Sequence, residues 1–136
     1  MSVLRGVCLA LAPVGAVALA GCGSCDTTGQ TPISYRDGTT NESRTHYESS
    51  RIDAEYLHFP AGRVYDLEHD LRAAPFSVTA YLSFAPNPSD GGFAESAGNQ
   101  AIFNADDSVV RVRNDTCAEF YLRVVAEADP DEATDG

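Results

Sequence analysis

The sequence predicts an all-β protein, a small antiparallel sandwich or barrel, set between a disordered N-terminal tether and an acidic C-terminal tail. Three observations predict it. In 76–84, Phe76, Val78, Ala80, Leu82 and Phe84 alternate with Ser77, Thr79, Tyr81 and Ser83, the period-two pattern of a strand with one buried face. Shorter alternations recur at 109–113 and 120–126, with further candidate strands at 56–59, 63–69 and 101–103. Turn chemistry separates these runs at 60–62, 72–75, 86–92 and 104–107, as expected when several short strands stack into two layers. No window keeps a helical stripe for three turns, and no internal repeat is present.

The first segment is an address. One cation, Arg5, precedes an uncharged run over 6–20 that is too short and too lightly flanked to span a bilayer and reads as a signal-peptide core. Pro13 and its glycines make it a poor helix interior. The run ends in Leu19-Ala20-Gly21-Cys22, which resembles the lipobox of bacterial lipoproteins. The resemblance implies cleavage before Cys22, acylation of its sulfur, and a membrane partnership through several chains, enough for stable anchoring where one chain binds only marginally. Gly23 rather than Asp after the cysteine favours the outer membrane.

The expected organisation is a signal peptide at 1–21, a lipidated flexible tether at 22–43, a β domain at 44–126 and a disordered tail at 127–136. Residues 23–43 are Thr, Ser, Gly, Asp and Asn with almost no large apolar side chain, and 127–136 holds five carboxylates and Pro130. Neither stretch carries enough apolar surface to offset the entropy of ordering it. The mature chain would carry 8 arginines against 20 carboxylates, a balance that argues against nucleic-acid binding. Cys8 leaves with the signal and Cys22 is acylated, so Cys25 and Cys117 remain in a compartment where disulfides persist. A bridge between them, or a mobile Cys25 with Cys117 as a small core residue, are both compatible with the spacing.

Within the domain, Tyr56-Leu57-His58-Phe59-Pro60-Ala61-Gly62, Tyr81-Leu82-Ser83-Phe84, Ala97-Gly98-Asn99-Gln100 and Asn114-Asp115-Thr116-Cys117-Ala118-Glu119-Phe120-Tyr121 resemble uncharacterised lipoproteins of high-GC Gram-negative bacteria such as myxobacteria. That resemblance implies an envelope protein and brings no activity or site residue with it.

Catalytic and metal signals are sparse. His46, His58 and His69 lack metal-ligand spacing, and no Gly-x-Ser-x-Gly elbow is present. Asp115 and Glu119 flank Cys117, which disfavours a reactive thiolate. No catalytic residue, metal or cofactor is assigned. The oxygen-rich stretches 89–92 and 104–107 could ligate calcium but equally form turns. Asn41 and Asn114 open glycosylation sequons that carry little weight beside a bacterial lipidation signal. The reading is therefore a lipid-anchored envelope protein acting as a non-catalytic binding or structural module, with a glycan or protein partner. The alternative is a small envelope hydrolase, for example glycan-acting, with dispersed acidic residues.

The last two strands are expected to form a hairpin in which opposed residue numbers sum to 232, so that Val112 faces Phe120 and Val110 faces Leu122, all inward. The outer face would pair Arg113 with Glu119 and Arg111 with Tyr121. With Arg123 nearby, Arg111, Arg113, Tyr121 and Arg123 form the candidate binding face for an anionic or glycan partner.

Overall fold

A computed structural model describes residues 30–96 and 101–131. Within them lie two packed sheets and one short helical turn. In chain order the strands are β1 (Ile33–Tyr35), β2 (Thr39–Thr40), β3 (His46–Glu48), β4 (Leu57–Phe59), β5 (Val64–Glu68), β6 (Ser77–Ser83), β7 (Phe93–Glu95), β8 (Ala101–Ala105), β9 (Val109–Asn114) and β10 (Phe120–Glu127), with α1 (Pro88–Gly91) before β7. The first sheet has the order β1-β5-β9-β8. The second has β2-β3-β10-β6-β7, and β4 lies beside β3's position along the same edge of β10. All pairings are antiparallel except β1 with β5. The sheets close on each other as a sandwich and not as a barrel.

The period-two pattern works in both layers. Leu67 on β5, Val110 and Val112 on β9, and Leu122 and Val124 on β10 are fully buried, joined by Phe59, Tyr47 and Ala126 in one continuous core. Burying each Val or Leu side chain contributes about 1.5–3 kcal/mol.

The hairpin expected between the last two strands does not form. β9 lies in the first sheet between β5 and β8, whereas β10 is the middle of the second, against β6 on one side and β3 and β4 on the other. Val110, Val112, Phe120 and Leu122 do point inward, because strands of opposite sheets face the same core. Parity fixes the face a residue takes, not the strand it meets. The link 115–119 is a corner between sheets, and Asn114 holds it. Its fully buried amide donates to Phe59 O and Ala118 O, both at 2.9 Å, while its Oδ1 accepts from Thr116 N at 3.0 Å and Thr116 Oγ1 at 2.8 Å.

The 76–84 strand is shorter than its alternation. β6 buries Ala80 and Leu82 and packs Val78 against the core, but Phe76 and Phe84 lie beyond its ends and are 69% and 78% exposed. Two boundaries also move. Strand structure begins at Ile33, inside the segment expected to be a tether, where Tyr35 packs on the core and its hydroxyl donates to Ser49 O at 2.9 Å. β10 continues to Glu127, and Ala128 is buried with its N–H donating to Thr45 O. Gly38 is required there, since a Cβ would stand 2.3 Å from the Tyr47 hydroxyl oxygen.

All the strand directions give the sandwich two distinct ends. β4 stops, β5 starts, β9 stops, β10 starts and β6 stops at one end, tied by the bond from Gly62 N to Asn114 O. Because β1 runs parallel to β5, with Ile33 opposite Tyr65, the chain also enters the domain at that end. β10 then carries it out at the other.

Candidate binding surface

The four residues expected to share a face are divided between the two outer surfaces. Arg111 stands on the outside of the first sheet opposite Asp66, which it grips with two bonds, Nε to Oδ1 at 2.6 Å and Nη2 to Oδ2 at 2.7 Å. That carboxylate raises the Arg111 pKa above its ordinary value. On the same sheet Arg113 pairs with Asp115 at 3.0 Å. Arg123 and Tyr121 lie on the outside of the second sheet. Arg123 is only 8% exposed: its Nη2 donates to Glu48 Oε2 at 2.7 Å, its Nε to Ser50 O at 2.9 Å, and its guanidinium lies 5.4 Å from the Tyr81 ring centre. Tyr121 packs on His58 at 5.5 Å, and His58 Nε2 meets Glu119 Oε1 at 3.3 Å. The single arginine face is therefore corrected. It rested on a β9–β10 hairpin, and the strands belong to different layers.

The polar depressions are internally paired. One of about 340 Å³ at the end opposite Asn114 is lined by Arg36, Gly38, Thr40, Glu68, His69 and Asp70. Glu68 accepts from Ser34 Oγ at 2.6 Å and from Arg36 Nε at 2.8 Å, bonds that hold its carboxyl below the usual range. His69 accepts at Nδ1 from Leu71 N, so the Nε2 near Asp106 O carries the proton of a neutral ring. Burial lowers its pKa. Beneath Gly38 the buried Tyr47 hydroxyl has no hydrogen-bond partner, and burial pushes its pKa up.

The side-chain oxygens at both oxygen-rich stretches are engaged by the local backbone. Asp106 accepts from Ser108 N, Ser108 Oγ and Val109 N, which keep its carboxyl ionised below the ordinary range. Asn87 caps α1 by accepting from Ser89 N. No group of three or more His, Cys, Asp or Glu among the described residues could hold a metal ion.

Of the large apolar side chains exposed among the described residues, Ile33, Ile52, Phe84 and Phe93 sit at the Asn114 end and Phe76 at the opposite one. The segment before β4 reaches across to the β6–β7 connection through the bond from Tyr56 N to Pro86 O at 2.8 Å. A depression of about 430 Å³ opens there between Ile52, Pro88 and Phe93. A second, of about 230 Å³, adjoins it across the Phe93 ring and is walled by Leu82, Phe84, Ala94 and the glycines 91 and 92. Gly92 has φ 65°, a left-handed conformation that glycine adopts without strain. Ile52, Phe84 and Phe93 are exposed by 55%, 78% and 44%. Aromatic rings back the two phenylalanines: Phe93 meets Tyr81 edge-on at 5.6 Å and Tyr56 at 6.3 Å, and Phe84 meets Phe120 at 5.4 Å.

Sequence reading placed Phe84 in the core and gave Phe93 no role. The only signal for the surface was the punctuation Pro86-Asn87-Pro88 and Gly91-Gly92, which marks a long connection without showing what it exposes. Cys117 lies exposed in the corner before β10. Cys22 and Cys25 lie outside the described residues. No protein-family model, curated protein or solved structure matches the chain.

Proposed function

We propose that this chain is a lipid-anchored protein of the bacterial cell envelope, held at the outer membrane through Cys22, whose β domain is a binding module and not an enzyme. The lipobox-like Leu19-Ala20-Gly21-Cys22 and the resemblance of the body to envelope lipoproteins support the anchor. The observation that carries the binding role is the contrast between committed polar groups and an uncommitted apolar end. Asp66, Glu48, Glu68 and Asp106 are each held by an arginine, a hydroxyl or a turn, while Ile52, Phe84 and Phe93 present apolar surface to solvent. Clustered exposed apolar side chains mark interaction sites. A bridge from Cys25 to Cys117 belongs to the same proposal, because these are the two cysteines left to an exported domain after signal cleavage and acylation.

Metabolic labelling with a fatty-acid analogue tests the anchor: the wild type takes the label and partitions with membranes, and Cys22→Ala loses both. A Cys22→Ala protein that is still labelled and membrane-bound overturns it. Non-reducing peptide mapping after alkylation tests the bridge, which a linked Cys25–Cys117 peptide supports and alkylated thiols at both positions reject.

A further inference from the structure

From the placement of chain entry, Cys117 and the exposed apolar residues at one end of the sandwich, we infer that this end lies against the bilayer and that Phe84, Phe93 and Ile52 rest in the lipid interface. The inference depends on the lipid anchor proposed above and names what its domain touches. Three features converge. First, β1 begins opposite Tyr65, so the segment leading back to Cys22 leaves the domain at the Asn114 end. Second, Cys117 stands in the corner at that end. Three Cα-to-Cα steps lead from Cys22 to Cys25, at most about 10 Å of extended chain. A disulfide adds about 4–7 Å between Cα atoms. A Cys25–Cys117 bridge would therefore hold the acylated residue within about 17 Å of this corner.

Third, the surface so placed has the chemistry of a membrane contact. The Phe84 ring lies 5.4 Å from that of Phe120, three residues along the chain from Cys117, and Phe93 and Ile52 extend the same surface. Asp115, Glu119 and Asp53 near this end are paired with Arg113, His58 and Arg51, although Asp90 stands in α1 and Glu55 is exposed before Tyr56. The opposite end instead gathers Asp106, Asp107, Glu127, Asp129 and Asp131, together with Arg36, Arg44 and Arg72. Aromatic and aliphatic side chains partition into the headgroup boundary while carboxylates avoid it. The domain therefore stands on the membrane by its apolar end, with its acidic end outermost.

The protein contains no tryptophan, so a single introduced indole reports depth without background. The mature acylated protein is prepared as Phe84→Trp, as Ile52→Trp and, at the opposite end, as Phe76→Trp, all solvent-exposed positions. Each is reconstituted into vesicles of phosphatidylethanolamine and phosphatidylglycerol whose acyl chains carry bromine. The expected result is a blue shift and loss of most emission for Phe84→Trp and Ile52→Trp, with Phe76→Trp unshifted and unquenched. Equal quenching at both ends, or none at either in vesicle-bound acylated protein, overturns the orientation while leaving the anchor intact. Shielding of Phe84→Trp from acrylamide without quenching by bromine assigns the surface to a protein or glycan and rejects lipid. Absence of acylation in the intact mass overturns both this inference and the anchor.

Discussion

The two outer faces of the sandwich each carry an arginine–carboxylate pair between neighbouring strands, yet the pairs live in different media. On the first sheet Arg111 and Asp66 meet in solvent, with 51% of the arginine side chain exposed. On the second, the segment 49–56 joins β3 to β4 along the edge of β10 and meets Arg123 through Ser50 O, and 9% of the arginine side chain is exposed against Glu48. The gap that admits Arg123 arises because β3 and β4 occupy one edge of β10 in succession, meeting it at 125–127 and 120–122. In the interval the backbone is met by Ser49, whose N–H donates to Val124 O and whose Oγ accepts from Val124 N. Two identical chemistries are thus worth different amounts, because a charge deprived of water depends on its partner while an exposed one does not.

This comparison can be broken most sharply at Arg123. Arg123→Ala is expected to cost about 3–5 kcal/mol in guanidinium unfolding, since it strands Glu48 and the Ser50 carbonyl without their donor. Adding Glu48→Gln to that variant should recover part of the loss. A cost as small as that of an exposed pair would mean that the segment lifts and lets water in. Between the two faces stands Asn114, whose replacement by Ala leaves Phe59 O and Ala118 O without their donor. About 2–3 kcal/mol is expected from the unpaired buried carbonyls, read from the same unfolding curves. On the open face, Arg111→Ala should leave the unfolding midpoint close to that of the wild type, and any difference should vanish in high salt.

The smallest effect is one of pH. The His69 pKa is lowered by burial from an ordinary value of 6.5. The unfolded chain therefore takes up a proton that the folded chain resists, so His69's contribution is intact above about 6.5 and declines as pH falls below it. Thermal unfolding between pH 7.5 and 5.5 should show a slope that His69→Gln flattens. An unchanged slope would remove His69 from the account.

How much of this was legible in the sequence follows from what alternation encodes. The inward set of Val110, Val112, Phe120, Leu122 and Val124 is visible as a period of two, so the all-β class and much of the core were readable. Pairing was not, because Val112 is equally inward beside Phe120 in a hairpin and opposite it in a sandwich. The division of the arginines follows from that single ambiguity. The strands at 33–35 and 39–40 were hidden for another reason: their side chains bury little, and they are held by backbone bonds to β5 and β3 and by Tyr35. Composition counts side chains and cannot register a ladder. At the candidate surface, the Phe84 alternation continued past the end of its strand, so a residue read as core became the most exposed large apolar side chain of the described chain.

The position of β10 sets the order of events in folding. It is the last strand among the described residues and the middle of its sheet, flanked by β6, β3 and β4, whose residues precede it by roughly 40 to 80 positions. Until β10 is in place, the strands before it can form no complete second layer, and the apolar face of β9 has nothing to close upon. Closure of the sandwich therefore waits for the strand at its centre. Before that point the chain is open and at risk of aggregation, a hazard against which the mutual repulsion of its carboxylates acts.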